Sequence, residues 1–277
     1  MTACQYRPAG QDLLFPAPCP ELDVFGNPGP APDSAPVSVP AAPAHTARVH
    51  GWVGGQLRNV EVDYAPTGAW LKVGGVDGFQ VTPQGILCAD GAGNGWTDLE
   101  REILLGPALV LALAMRGTWC LHASASLFEG QVTVFVGESG QGKSTLAAHL
   151  AAGGHPLVAD DILPVARNQA GLQAWPRFPQ LKLQVQPGAA LSEALPLGRV
   201  CVLERAEAPA LCRLPSGEAV QAWLRHTAGT RLFDPSLLAQ HLAFCAQAAA
   251  QVPVFSLAYP RKWEALPRVR ELLEAAC

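Results

Sequence analysis

The sequence predicts an α/β fold with an N-terminal β-rich portion, and two observations predict it. From Ala47 to Cys88, short apolar runs alternate with turns such as Gly54-Gly55, which is typical of a meandering antiparallel sheet. Further along, the apolar run Val132–Val136 leads through a glycine-rich stretch into an Ala/Leu-rich segment, Ser144–Ala152, as in the strand–loop–helix units of α/β proteins. We therefore expect three parts: a Pro/Ala-rich arm at 1–45, a β-rich portion with a bent helix packed on the core at 46–117, and the core itself at 118–277.

The arm is defined by residues 16–44, which are dense in proline and alanine. Such a stretch is either a disordered linker or an extended segment that lies on the domain. Leu22, Val24 and Phe25 offer apolar anchors, and anchors of this kind are scarce in linkers. We therefore expect a partly ordered arm.

A helix is predicted from Thr97 to Arg116. Thr97 with Glu100 three residues later forms a capping box, and Gly117 is a suitable stop. Pro107 lies inside this segment and lacks a backbone N–H, so it should bend the helix or split it in two.

The core is predicted to contain both strands and helices. Apolar runs predict these strands: Trp119–Leu127, Val132–Val136, Leu157–Ala159, Leu181–Val185, Val200–Glu204 and Val254–Leu257. Helical periodicity predicts these helices: Ser144–Ala152, Gly217–His226, Ser236–Gln251 and Lys262–Ala276.

Composition excludes several classes of protein. The 277 residues are 49% hydrophobic and 15% charged with a net charge of −4, and no basic run is present, which argues against a nucleic-acid surface. The longest apolar run, Ile103–Met115, is shorter than the ~20 residues of a membrane span. The start lacks the layout of a signal peptide, so we expect a cytoplasmic protein without a membrane partner. The eight cysteines include no Cys-x-x-Cys pair, which argues against a zinc site or a disulfide framework.

The glycine-rich stretch fits the motif G-x-x-x-x-G-K-[ST] at Gly137, Gly142, Lys143 and Ser144. In this motif backbone N–H groups surround the phosphates, the lysine reaches the β- and γ-phosphates, and the serine hydroxyl binds Mg²⁺. We predict that the whole segment binds nucleotide, through Gly137, Glu138, Ser139, Gly140, Gln141, Gly142, Lys143, Ser144 and Thr145. The alternative is a strand-to-helix turn without a ligand. The motif names a ligand class and not a reaction.

Two adjacent carboxylates, Asp160 and Asp161, close the predicted strand Leu157–Ala159. If this strand lies beside the loop strand, its C-terminal end reaches the phosphate crevice, where parallel sheets place ligands. One carboxylate could then hold Mg²⁺, and the other could orient or deprotonate an incoming hydroxyl. The alternative is a solvated turn, where aspartate is common.

Three histidines lie near this segment. His122 follows Cys120 on the preceding predicted strand, and from the residues alone it is either a structural histidine or part of the site. His149 and His155 flank the loop helix, and for both we expect structural roles because neither a motif nor their spacing requires more.

Together these segments resemble the HPr kinase/phosphorylase family, in particular its shorter HPr-kinase-related members. The resemblance is most specific in Leu121-His122-Ala123-Ser124-Ala125, in the glycine-rich segment, and in the stretch from Gly154 to Asp161. A looser similarity extends over most of the remaining chain. The resemblance implies a P-loop core of the HPr-kinase-like (PEP-carboxykinase-like) type. It also implies ATP-dependent, Mg²⁺-assisted phosphorylation of a serine on a protein or peptide.

The resemblance also implies a role for each matching residue. Asp160 matches the catalytic acid/base, Asp161 the acidic neighbour of the metal, and His122 the active-site histidine. Lys143 matches the phosphate clamp and Ser144 the Mg²⁺ ligand.

One departure from the family concerns the reverse reaction. HPr kinases proper carry an Arg-Gly-x-Gly stretch after the aspartate pair, whereas this chain reads Trp175-Pro-Arg-Phe-Pro-Gln-Leu-Lys182. We therefore expect a one-way kinase whose acceptor is a protein or peptide other than HPr, such as a ribosomally made lasso-peptide precursor. Arg177 and Lys182 either neutralise the transferring phosphate or are surface charges.

Two other functions stay open at this point. One is a regulatory protein that binds nucleotide without transfer, although the combination of Asp160, Asp161 and His122 favours chemistry. The other is a kinase of a free small metabolite, because the acceptor pocket has no motif. An oligomer is also compatible with the sequence.

Overall fold

The computed structural model describes residues 4–16, 19, 21–22, 29–30, 42–74, 76–88, 96–176, 178–179 and 193–276. The chain divides into two compact units. The first contains residues 1–118 together with 229–240, and the second contains residues 119–228 together with 241–277. Segment 229–240 is fixed in the first unit in part by the Tyr64 hydroxyl, which donates a 2.6 Å hydrogen bond to the Leu232 carbonyl.

In the described part of the first unit, eight strands form one mixed sheet in the order β3-β1-β2-β8-β7-β6-β5-β4. All neighbouring strands are antiparallel except the parallel pair β2–β8. The strands are β1 (Cys4–Tyr6), β2 (Leu13–Phe15), β3 (Gly29–Pro30), β4 (His45–Val53), β5 (Gln56–Ala65), β6 (Gly68–Val73), β7 (Val76–Thr82) and β8 (Gly85–Cys88).

Alternation of side chains creates the core of this sheet. Val60, Val62 and Tyr64 on β5 are buried, and their partners on β6 are Val73, Leu71 and Ala69, which are also buried. Because successive strand residues point to opposite faces, these pairs form one apolar face. The sequence pattern of this region therefore predicts the meander that the structure contains.

The helix of the first unit is divided at Pro107, as its sequence predicts. It comprises α1 (Asp98–Ile103), a π-helical turn (Leu104–Ala108) and α2 (Leu109–Ala114). The Thr97–Glu100 capping box is confirmed, since each side chain bonds the backbone N–H of the other residue. Gly106, just before the proline, leaves helical geometry with φ −101° and ψ −105°.

In the described part of the second unit, seven strands form another mixed sheet, in the order β10-β9-β11-β12-β13-β15-β14. An additional parallel pairing of β10 with β13 closes strands β9 to β13 into a ring. The strands are β9 (Trp119–Phe128), β10 (Gln131–Val136), β11 (Leu157–Asn168), β12 (Gly171–Ala174), β13 (Leu195–Arg205), β14 (Ala210–Arg213) and β15 (Val254–Tyr259).

Two apolar clusters cover the strands of this sheet. One joins residues of β9 to β13 with α4 (Ser216–His226) and α5 (Pro235–Gln251), through side chains such as Trp223. The other joins β10, β13 and β15 with α3 (Lys143–Ala152) and α6 (Leu266–Glu274), around Phe135. The sheet is therefore buried on both faces, which explains the continuous apolar runs of its strands.

Several predicted elements need correction. Leu157–Ala159 is not a short strand that ends at the aspartates, because β11 continues to Asn168 and contains both carboxylates. Nor does β11 lie beside the loop strand β10; it pairs antiparallel with β9. Antiparallel pairing with β9 provides partners for the whole of Asp161–Val165, and the strand therefore continues past the two charges. The predicted helix from Lys262 begins as a 3₁₀ turn, Trp263–Ala265, before α6.

Some predictions fall on residues outside the described part of the chain. These are the strand Leu181–Val185, the side chains of Arg177 and Lys182, and the anchors Val24 and Phe25. The third anchor, Leu22, is fully buried.

No helix of the described residues is long and apolar enough to cross a membrane. Within the described part of the chain, five cysteines form no disulfide: Cys19, Cys120, Cys201, Cys212 and Cys245.

We predict that Gly85→Ala destabilises the first unit more than Gly55→Ala does. Both glycines have positive φ, but a β-carbon at Gly85 would lie 2.5 Å from the Leu14 nitrogen, whereas one at Gly55 meets nothing within 4 Å. We expect a loss of about 2–4 kcal/mol for Gly85→Ala and about 1 kcal/mol for Gly55→Ala. Urea unfolding of both variants measures the difference, and equal losses would contradict the predicted clash.

Candidate functional site

The glycine-rich loop connects the end of β10 at Val136 with the start of α3 at Lys143. Gly142 occupies the N-cap position of α3 in the left-handed conformation, with φ 87°, which favours glycine. No side chain caps this helix end, and no acidic residue lies in its first turn. The first N–H groups and the positive end of the helix dipole are therefore available to an anion.

Lys143 is the first residue of α3, and its side chain extends back into this loop. Its Nζ donates hydrogen bonds to the carbonyl oxygens of Gly137, at 2.9 Å, and Glu138, at 3.3 Å. Only 8% of the residue is exposed, and burial lowers the pKa of its ammonium group, while the carboxylates of Asp161, Asp160 and Glu138 act in the opposite direction. The loop thus holds a buried cation at the beginning of α3.

The two aspartates approach this loop because β9 lies between β10 and β11. Asp160 pairs with Ser124 across β9 and β11, and the Ser124 hydroxyl donates a 2.5 Å hydrogen bond to Oδ1 of Asp160. His122, two residues earlier on β9, places its Nδ1 3.3 Å from Oδ1 of Asp161. Ser124 and His122 share one face of β9 because strand side chains alternate.

Asp161 departs from the regular alternation of β11. Ala159 and Leu163, two residues to either side, belong to the apolar cluster, so a regular strand would direct the Asp161 carboxylate into that cluster. Its φ of 95° is left-handed, and its side chain is instead 37% exposed and contacts His122. This backbone conformation costs about 1–3 kcal/mol in a residue other than glycine. Both carboxylates therefore face the same cleft.

The cleft has a volume of about 570 Å³, within the usual range of ligand sites. Its wall contains most of the residues that the sequence predicts: His122, Ser139, Gly140, Gln141, Gly142, Lys143, Ser144, Thr145, Asp160 and Asp161. Gly137 and Glu138 are not part of that wall, and they contribute to the loop through the carbonyl oxygens that accept from Lys143.

The donors in this cleft suit a hard divalent cation. Ser144 offers a hydroxyl, and Asp160 and Asp161 offer carboxylates, in the same wall. Among the described residues, no group of three or more His, Cys, Asp or Glu side chains is arranged to hold a metal by itself. Mg²⁺ is commonly held by one or two carboxylates together with substrate phosphates and water. The residues present therefore fit Mg²⁺ that arrives with a nucleotide.

Two further residues were not predicted: Ser124, which bonds Asp160, and His226, which lies near the loop but does not line the cleft. Ser124 could have been found, since it lies two positions after His122 on a predicted strand and thus on the same face. His226 ends α4 and had no signal in the sequence. It is buried, burial lowers its pKa to about 4, and it interacts electrostatically with Glu138, Lys143 and His122. His226 is therefore neutral near pH 7 and adds no positive charge to the loop.

His149 and His155 lie outside the wall of the cleft. The His155 ring stacks on Phe128 with centroids 4.0 Å apart, and its Nε2 lies 3.0 Å from Oε1 of Glu274. These contacts fit the structural role predicted for His155. His149 contributes neither to the cleft wall nor to the hydrogen bonds of the loop.

The chain has a distant likeness to solved structures. No family model and no curated protein matches the chain. Among solved structures it is similar to the Hpr(Ser) kinase/phosphatase from Coxiella burnetii, with 15% identity over 57% of this chain and 95% of that chain, and a TM-score of 0.35. A TM-score this low carries no argument about function.

We predict that the second unit loses stability between about pH 6.5 and pH 4. Burial lowers the pKa of both His226 and His241 from 6.5 to about 4, so the unfolded chain takes up these protons before the folded chain does. Each histidine therefore contributes stability above pH 6.5 that is lost as the pH falls, up to ~3 kcal/mol.

Denaturant unfolding at pH 7.5 and pH 5 tests this prediction. His226→Gln should lose about 2 kcal/mol less than the wild type between these two values. His50→Gln is the control, because His50 is an exposed residue of β4 in the first unit. A His226→Gln variant with the pH dependence of the wild type would contradict the burial argument.

Proposed function

We propose that this chain is an ATP-dependent kinase that transfers the γ-phosphoryl group to a serine hydroxyl of a protein or a ribosomally made peptide. The proposal includes a P-loop core of the HPr-kinase-like type. One observation supports it above all: a single cleft combines an uncapped helix start and a buried lysine with two carboxylates and a histidine. The helix start and the lysine suit a triphosphate. The carboxylates and the histidine suit a hydroxyl that must lose its proton.

In this proposal residues Gly137–Thr145 hold the triphosphate. Backbone N–H groups of the loop and of the first turn of α3 bind phosphate oxygens, and Lys143 exchanges its bonds to the Gly137 and Glu138 carbonyls for bonds to the phosphates. The loop carbonyls keep the ammonium group in place before the nucleotide binds. Little rearrangement is then needed, which favours tight binding.

Asp160 is the proposed general base. Its Oδ1 accepts the Ser124 hydroxyl, which orients the carboxylate so that Oδ2 can accept the proton of the substrate serine. As the serine oxygen bonds to the γ-phosphorus, the bond from that phosphorus to the β–γ bridging oxygen breaks and ADP leaves. His122 holds Asp161 in position through its Nδ1, so the second carboxylate stays in the cleft.

Ser144 and Asp161 are the residues that we assign to Mg²⁺. When bound, the ion would neutralise charge on the phosphates as the reaction proceeds. The hydroxyl of Ser144 lies at the start of α3, and the conformation of Asp161 directs its carboxylate into the same cleft. Ser144 comes from α3 and Asp161 from β11, so the two residues would hold the ion from two different elements of the same cleft.

The acceptor is the least constrained part of the proposal. The resemblance of residues 121–161 to the HPr kinase/phosphorylase family supports a serine on a protein or peptide, and a free metabolite with a hydroxyl would use the same carboxylate. Incubation with labelled ATP and candidate acceptors separates the two, beginning with peptides encoded beside the gene. Label on a peptide serine supports the proposal. Label on metabolites alone would contradict a peptide acceptor and indicate a kinase of small metabolites.

We predict that Lys143→Ala weakens ATP binding by roughly 10- to 100-fold, because a charge-assisted hydrogen bond contributes about 1.5–3 kcal/mol. Titration calorimetry with Mg-ATP measures the change. Lys72→Ala is the matched control, since Lys72 pairs with Asp63 in the first unit. Unchanged affinity for ATP in Lys143→Ala would contradict the proposal that this loop binds the triphosphate.

We predict that Asp160→Asn retains ATP binding and loses phosphoryl transfer by about 10²–10⁴-fold, because the amide cannot take up the proton. Transfer of labelled phosphate to the best acceptor is the readout, with calorimetry on the same preparation for binding. Asp98→Asn, at the start of α1, is the control and should leave both measurements unchanged. Turnover at the wild-type rate in Asp160→Asn would rule out Asp160 as the base.

A further inference from the structure

A second depression borders the glycine-rich loop. Its volume is about 270 Å³, and it shares Gly140, Gly142 and Thr145 with the wall of the phosphate cleft. The rest of its wall comes from the segment that runs from the end of β15 to the start of α6: Tyr259, Arg261, Lys262, Trp263 and Leu266. A ligand that binds in the loop therefore has two neighbouring spaces into which it can extend.

Trp263 gives this depression an open aromatic surface. It begins the 3₁₀ turn before α6 and is 67% exposed, which is unusual for a large aromatic side chain. The adjacent Tyr259 and Leu266 are buried and belong to the apolar cluster beneath α3 and α6. The indole of Trp263 therefore lies beside an apolar surface formed by these buried side chains.

A hydrogen bond connects this aromatic segment to the loop. Nη1 of Arg261 lies 3.4 Å from the carbonyl oxygen of Gly140 and donates to it. The Tyr259 hydroxyl lies near Gly142, 3.6 Å from where a β-carbon on that glycine would be. Arg261 and the neighbouring Lys262 also bring two positive charges to the rim of the depression.

We propose that this second depression binds the base and ribose of the nucleotide, with the base stacked on Trp263. The proposal rests on the proposed function, because it presupposes a triphosphate in the loop. Every nucleobase has a flat π-face that stacks on an indole, and base–aromatic stacking is favourable for all bases. Arg261 and Lys262 provide donors and positive charge near the α-phosphate and ribose.

The acceptor substrate does not fit this depression. Its hydroxyl must reach Asp160, and Asp160 and Asp161 line the phosphate cleft but not the second depression. The nucleoside instead leaves the phosphates at the end opposite the transferred group. The cleft therefore holds the γ-phosphate and the acceptor, and the second depression holds the nucleoside. Gly140 and Gly142 belong to both walls.

Titration calorimetry of full-length protein with two ligands tests the inference: Mg-ATP, and Mg-tripolyphosphate, which lacks a nucleoside. We expect Trp263→Ala to weaken ATP binding by roughly 5- to 100-fold and to leave tripolyphosphate binding unchanged. Trp263→Phe should restore most of the ATP affinity, since it keeps an aromatic face. Trp52→Ala is the matched control, because Trp52 is an exposed tryptophan of the first unit.

The outcomes separate this inference from the proposed function. If the wild type binds ATP and Trp263→Ala binds it equally well, the base site is overturned and the kinase proposal stands. A Trp263→Ala variant that loses affinity for both ligands by the same factor would also overturn it, because the effect would then lie in the loop. If the wild type binds neither ligand, the proposed function fails and the base site fails with it.

Discussion

The site depends on the pairing of β9 with both β10 and β11. This arrangement sets the loop strand and the aspartate strand on opposite sides of one central strand. His122 and Ser124 are on that strand, and each contacts one of the two carboxylates. If β9 slipped by one residue, both side chains would turn to the apolar face and the carboxylates would lose their partners.

Burial and neighbouring charges have opposite effects on the charged groups of the site. Lys143 is buried in the loop, where desolvation disfavours its charge, yet loop carbonyls and three carboxylates favour it. Asp160 and Asp161 would repel each other in isolation, and each has its own contact, Ser124 or His122. The left-handed conformation of Asp161 stores strain to keep its carboxylate in the cleft, a feature that is common at functional sites.

The segment after β15 adds a different kind of surface beside the same loop. The cleft at Lys143, Asp160 and Asp161 is lined by polar and charged groups, whereas the neighbouring depression presents an exposed indole beside buried Tyr259 and Leu266. A nucleotide has the same division between a charged end and a flat aromatic end. The loop glycines, which belong to both walls, place these two surfaces at adjoining positions.

Local features of the chain could be predicted because their physics is contained in a few neighbouring residues. The glycine-rich loop, the Thr97–Glu100 capping box and the break at Pro107 each depend on fewer than about ten positions. The short strands β12 and β14 could not be found, because four residues carry little periodicity. Likewise β1 and β2 are only three residues long, and pairing with distant segments stabilises them.

By itself the sequence determined the α/β class, the glycine-rich loop between a strand and a helix, and the chemical nature of the groups near it. The sequence predicted that a short strand ends at Asp160 and Asp161, and only the tertiary structure showed that this strand continues and pairs with β9, because strand pairing is non-local. The contact of Ser124 with Asp160, the burial of His226 and the aromatic wall at Trp263 were also decided by the tertiary structure. Each of them joins residues that are far apart in the chain, and no local pattern records such a contact.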